Sequence, residues 1–131
     1  MIVYIYSLAN NLEEKNIDTI ILPSKKGQIN ILDKHINLIT ILKMGLLRFK
    51  KSSKWNSFII YKGIAEIKKN IILVLTNKIE QITKLNAANA NKNLESILLN
   101  LQKAKTNKER LNFSSQLEKE IIFLEAIKYL P

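Results

Sequence analysis

His35 is the one residue of 131 whose side-chain type changes charge near neutral pH, so acid–base chemistry is weighed there first. It has no second histidine and no carboxylate pair spaced to work with it, which leaves it without the partners a proton-transfer site needs. The chain has no cysteine, which excludes a thiol nucleophile, a disulfide scaffold and cysteine-ligated metals. One histidine also excludes a multi-histidine zinc or di-iron site, so no metal and no cofactor is expected. No serine stands in a Gly-x-Ser-x-Gly setting. Three glycines in all cannot write a phosphate loop or a dinucleotide fingerprint. The chain does not read as an enzyme.

Charge offers the other chemistry. Twenty-one basic and 11 acidic residues give a net +10, an invitation to a nucleic-acid or anionic-surface partner. Isoleucine, lysine and asparagine, at 22, 19 and 15 residues, all have A/T-rich codons, so a biased genome raises lysine without selecting a basic surface. Residues 1–84 hold 14 basic and 6 acidic groups, against 7 and 5 in residues 85–131. A nucleic-acid binder would use Lys50, Lys51, Lys54, Lys68 and Lys69 on loops beside sheet aromatics. Those lysines are dispersed over many turns, with no arginine-rich stripe or ribonucleoprotein motif, so no nucleic acid is expected.

The elements that must hold these residues change character near Leu85. Upstream, β-branched runs at 17–22, 28–32, 46–50, 55–61, 64–68 and 71–75 recur every eight to twelve residues between polar turns. Leu47-Arg48-Phe49-Lys50 alternates like a half-buried strand, whereas Ile71-Ile72-Leu73-Val74-Leu75 reads as covered on both faces. Downstream, Leu94, Ile97, Leu98 and Leu101 follow helical spacing, as do Phe113, Leu117, Ile121 and Leu124. Asn86 reads as the N-cap of the first helix, and Thr106-Asn107-Lys108 as the turn before the second. The expected class is α+β: a β-sandwich over 1–84, then an antiparallel helical hairpin over 85–131. No run approaches the roughly 20 apolar residues of a membrane span. Met1–Tyr6 reads as a strand without a basic leader, so the protein is expected to work in the compartment where it is made.

The run from Ile20 to Thr40, with Pro23-Ser24-Lys25-Lys26-Gly27-Gln28-Ile29-Asn30 and Asp33-Lys34-His35, resembles a segment of the ε subunit of F-type ATP synthases. Gly45-Leu46-Leu47-Arg48-Phe49 is similar to that family's next strand. Trp55 with Phe58–Ile67 is similar to the plastid and cyanobacterial form of its next hairpin. Asn30 stands where the family has a second glycine, prolines are missing around Asp33 and Ile36, and Lys62-Gly63 replaces Gly-Gly.

The resemblance implies a non-catalytic stalk subunit whose partners are the γ subunit, the c-ring and, conditionally, the β subunit, peripheral to the membrane through that complex. It implies that Lys26, Gly27, Gln28 and His35 face the c-ring, with Lys25 and Lys34 around the same edge. Trp55, Phe49 and Tyr61 are read as sandwich core or γ contact. Lys108, Arg110, Lys119 and Lys128 become candidates for a weakly inhibitory contact with β, on a helix where they are balanced by four glutamates. Nucleotide-sensing relatives open their first helix with an Asp-x-x-Arg motif. Asn86 and Asn89 occupy those places, removing both the carboxylate and the guanidinium fork, so no useful ATP binding is expected. The implied location is a plastid, on the stromal side of the thylakoid membrane, with a bacterial inner membrane as the alternative.

Overall fold

A computed structural model describes residues 1–82 and 84–127. The chain divides into two compact units, Met1–Gln81 and the segment from Ile82 onward. The first is all β. Its strands are β1 (Ile2–Tyr6), β2 (Asn11–Glu14), β3 (Thr19–Ser24), β4 (Gly27–Leu32) and β5 (Leu38–Leu42). They continue with β6 (Gly45–Lys51), β7 (Lys54–Ile60), β8 (Gly63–Lys68), β9 (Ile71–Thr76) and β10 (Ile79–Gln81).

Hydrogen bonding runs in the order β10-β7-β6-β3-β5-β8-β9-β1-β2, with β4 paired to β3 outside that path. The link between β3 and β5 is a single pair, Ser24 opposite Leu42, so the sheet bends there into two halves. Ile20, Leu22, Leu47, Phe49 and Ile60 from one half share a buried cluster with Val3, Ile5, Ala65, Ile67, Ile72 and Val74 from the other. Phe49 and Phe58 stack in it with centroids 5.8 Å apart. The result is a curled, sandwich-like sheet closed on its own core, as the α+β reading requires. Ile17 and the first residue tie the end of β1 down, the terminal ammonium donating to the Ile17 carbonyl at 3.1 Å.

Two strand expectations are reversed. β9 alternates in burial: Ile72 and Val74 are fully buried, while Ile71 and Leu75 are 44% and 49% exposed. Five apolar residues in a row had suggested cover on both faces, but one face of β9 is bare. β6, expected to be half-buried, is buried from Gly45 through Phe49, including Arg48 at 8% exposure. The Arg48 guanidinium lies 5.1 Å from the Trp55 ring centroid, and this stacking lets a charged residue lie flat within the sheet. Strands β2, β5 and β10 were not foreseen; β2 and β10 are too short and polar to show a period.

The hairpin loops depend on unusual backbone. Ser52 and Ser53 (φ 51° and 64°) join β6 to β7, and Lys69 and Asn70 (φ 51° and 63°) join β8 to β9. Two positive-φ residues in a two-residue loop are the mirror-image turn that matches strand twist. Here the turns are built without glycine, and the non-glycine residues carry the strain.

The second unit contains α1 (Lys84–Lys103) and α2 (Asn107–Ile127). Helix α1 starts two residues before Asn86, so that asparagine lies inside the first turn and is not the cap. The turn before α2 is fixed by a cap. Thr106 Oγ1 accepts from Glu109 N at 3.1 Å, and Glu109 Oε2 accepts from Lys105 N at 3.0 Å. Ile82, Ile97, Ala104, Ile122 and Phe123 are the buried hydrophobic positions of the second unit among the described residues, whereas Ile121 and Leu98 of the expected stripes are 44% and 43% exposed.

Candidate subunit interface

The bare face of β9 continues across its neighbours. In register, Ile41 of β5 lies opposite Ile64 of β8, Ile64 opposite Leu75 of β9, and Leu75 beside Tyr6 of β1. These four side chains form one row across four strands, about 14 Å wide at the usual strand spacing. A second row runs Ile39, Glu66, Leu73 and Tyr4. Exposure along the face is high: 71% at Ile39, 53% at Ile41, 48% at Ile64 and 42% at Tyr6. Tyr4 and Tyr6 point the same way, their rings nearly parallel with centroids 6.4 Å apart.

Pleating explains the arrangement. Every second residue of β5, β8, β9 and β1 enters the core, and the alternates must face outward together. Isolated exposed aliphatics are ordinary, but a contiguous apolar row on a regular sheet is a candidate interaction surface. The rim supplies the polar register such a contact needs. Glu66, Lys68 and Lys69 edge a shallow depression of about 240 Å³ floored by Ile71 and Leu73. Because β5, β8 and β9 are hydrogen-bonded throughout and locked to the core from behind, the anchors are held without loop motion.

The residues singled out by sequence lie elsewhere, and not together. Lys25 and Lys26 form the turn from β3 to β4, Gly27 (φ 119°) opens β4 directly after it, and Gln28 follows on an exposed strand position. Ser24, buried beneath them, accepts from Lys26 N at 3.1 Å and from Thr40 Oγ1 at 3.3 Å, which fixes the turn. His35 lies past the far end of β4. Its backbone N donates to Leu32 O at 3.2 Å, and its Nδ1 is 2.7 Å from Ile36 O. Lys34 N donates to Asn70 Oδ1 at 2.7 Å, placing this loop beside the β8–β9 turn. The six-residue β4 therefore spaces Lys25 and Lys26 from Lys34 and His35 by about 17 Å, and they stand at the two ends of a strand that pairs with β3 outside the main path of the sheet.

Phe49 is core, Trp55 covers Arg48, and the Tyr61 ring lies 5.3 Å from the Lys78 ammonium, so none of the three contributes to the exposed rows. Lys108 and Arg110 are exposed on the first turns of α2. Lys119 is nine residues beyond Arg110, about 14 Å along the axis, and its ammonium sits 5.7 Å from the Phe123 ring. Lys128, and the side chains of Asn86 and Asn89, lie outside the described residues. Among the described residues no three histidines, cysteines or carboxylates gather as a metal site, and no helix is long and apolar enough to cross a membrane.

The sequence pattern could have exposed the interface. Leu38–Leu42 and Ile71–Leu75 are apolar on both faces of strands that have sheet neighbours on both edges. Ile71–Leu75 reads from sequence as covered on both faces, and Leu38–Leu42 gives no strand signal of its own, so their shared exposed face is visible only in three dimensions.

Comparison with known proteins accords with this architecture. Residues 1–82 match the family model of the ATP synthase delta/epsilon chain, beta-sandwich domain. The chloroplastic ATP synthase epsilon chain of the diatom Phaeodactylum tricornutum is 42% identical over 113 residues, 86% of this chain and 85% of the relative. That of Cyanidium caldarium is 31% identical over 114 residues, covering 87% and 86%. Among solved structures, a chain of the Euglena gracilis mitochondrial ATP synthase, determined with its c-ring, aligns at a TM-score of 0.81 and 19% identity over 97% of this chain and 80% of that one. A chain of the Tetrahymena thermophila mitochondrial enzyme's central stalk and c-ring aligns at 0.67 and 15% identity, covering 96% and 95%. The family model over residues 1–82 and the relatives at 42% and 31% identity, on a chain with a β-sandwich followed by two helices, identify it as a member of the ATP synthase delta/epsilon family.

Proposed function

We infer that this chain works as the epsilon chain of a plastid F-type ATP synthase, a non-catalytic part of the central stalk that helps to couple c-ring rotation to ATP synthesis. The family match and the chloroplastic epsilon relatives carry the identity. The exposed row Ile41, Ile64, Leu75 and Tyr6 carries the mechanism.

Transmission of torque needs a body that does not shear between its two attachment surfaces. The two half-sheets close on one core, so load applied to the outer face of β5, β8, β9 and β1 reaches the far turns through a hydrogen-bonded lattice. The outer face is the docking surface for γ: its aliphatic side chains would be buried on assembly, and Glu66, Lys68 and Lys69 would set its register. The β3–β4 turn, with Lys26, Gly27 and Gln28, is the part proposed to meet the c-ring. His35 lies past the far end of β4 from that turn, and in this reading it is a structural loop residue.

The helical unit is regulatory at most. Lys108 and Arg110 are the proposed carriers of a weak contact with β, and Lys119 contributes less because its side chain already packs against Phe123. The chloroplastic relatives support a plastid location, and the stromal side of the thylakoid is the position this reading proposes within it. The test is titration of the purified chain with γ from the same organism. A one-to-one complex abolished by polar substitutions on the apolar row supports this function; a complex indifferent to them refutes the assigned surface.

A further inference from the structure

We propose that the end of the sandwich carrying the β3–β4 turn touches the membrane itself, binding anionic lipid headgroups through a ring of lysines with one inserted leucine. This rests on the reading that the same end faces the c-ring.

Backbone hydrogen bonds gather four turns at that end. Lys25 N donates to Ile41 O and Lys43 N to Pro23 O, both at 3.0 Å, while Tyr61 N donates to Lys78 O at 3.2 Å and Asn77 N to Lys62 O at 3.3 Å. Lys25, Lys26, Lys43, Lys62 and Lys78 are thereby displayed together, all exposed. Lys78 pairs with Glu80 of β10 at 2.7 Å, and the turns themselves hold no acidic residue. The other four have no ion-pair partner among the described residues. The opposite end differs: its lysines are interleaved with Glu13, Glu14, Asp18 and Asp33, and Lys51 binds Glu14 at 2.8 Å.

Two observations point to a lipid surface as the partner of this charge. The β1–β2 turn rises at the same end, because Tyr6 pairs with Leu75 beside the Gly63–Thr76 pair, and at its tip Leu8 is 91% exposed. β1 lies two strands from β8, so Leu8 stands about 10 Å from Lys62. A bare leucine among lysines is the pairing that seats a protein at the boundary of headgroups and acyl chains. Second, Lys62 holds φ at 138°, a backbone that glycine adopts freely and lysine does not, so the charge is kept at the expense of local strain. Spread over separate turns without a pocket, the lysines fit a plane of charge better than one protein carboxylate.

The full chain is to be sedimented with phosphatidylcholine vesicles, with and without phosphatidylglycerol, over a series of salt concentrations. Binding is expected to require phosphatidylglycerol and to weaken as salt shortens the screening length below about 10 Å. Lys43→Gln and Lys62→Gly should each lower affinity about fivefold, and Leu8→Ser should lower it further at high salt than at low. Lys62→Gly relieves strain, so its loss of binding cannot be put down to misfolding. Lys54→Gln, at the opposite end, should change nothing. Equal binding to neutral vesicles, or no effect of Lys43→Gln and Lys62→Gly, overturns the proposal. So does binding only to detergent-solubilised c-ring, which would make ring carboxylates the partner. Loss of lipid binding with an intact γ complex separates this failure from failure of the stalk function.

Discussion

Replacing Ile41 and Ile64 with threonine tests the docking face most sharply. Threonine keeps the β-branch that suits a strand, so backbone preference is retained while the apolar surface is cut. The two side chains are 53% and 48% exposed in the free chain, leaving about half of each to be buried by a partner. Full burial of such a side chain contributes about 1.5–3 kcal/mol, so each half contributes about 1 kcal/mol. The pair should therefore cost about 2 kcal/mol, a loss of about thirtyfold in affinity for γ. Ile41 and Ile64 are cross-strand neighbours, so the double variant can depart from the sum and both single variants belong in the series. The assay is titration calorimetry against γ, with urea unfolding of each variant alongside. Leu32→Thr is the control, since Leu32 is 56% exposed but lies on β4, outside the row. A double variant that unfolds normally and binds γ within threefold of the parent, at a precision of about 0.6 kcal/mol, would refute the assigned face.

Three further outcomes follow from the same structure. Ser53→Gly places glycine at a φ of 64° in the β6–β7 turn and should stabilise the sandwich by about 0.5–1 kcal/mol, read as a higher urea midpoint. Gly63→Ala should destabilise by about 3 kcal/mol or abolish folding, because the added Cβ would overlap the Leu75 carbonyl oxygen; thermal melting checks this. Deleting residues 86–131 should leave γ binding within about twofold, because the sandwich core is drawn from residues of the first unit, and should raise the ATPase activity of the reconstituted enzyme only modestly.

Much of the strand content was legible because the β-branched runs at 28–32, 46–50, 64–68 and 71–75 are bounded by polar turns, and propensity and tertiary environment agree there. The helices were legible from their apolar stripes, and the structure adds that Thr106 and Glu109, three residues apart, cap the start of α2. What failed was the prediction of cover. Arg48 made β6 look half-exposed, yet a charged residue can be buried when a tryptophan face lies over it. Ile71–Leu75 looked buried on both sides, yet a strand cannot declare whether the molecule that covers it is its own. Lys26 and Gln28 lie close together, whereas the six-residue strand β4 spaces His35 from Lys26, a separation the continuous sequence run did not display. Lys25, Lys43, Lys62 and Lys78 show the converse, being far apart in sequence and gathered at one end by antiparallel pairing.

The central claim is tested most directly by mixing the purified chain with γ from the same source and running size exclusion at moderate salt. A single one-to-one peak, lost on substitution of Ile41 and Ile64, is the result the stalk function requires. Separate elution of the two proteins, with the chain carrying nucleic acid instead, would contradict it and return the +10 charge to the centre of the problem.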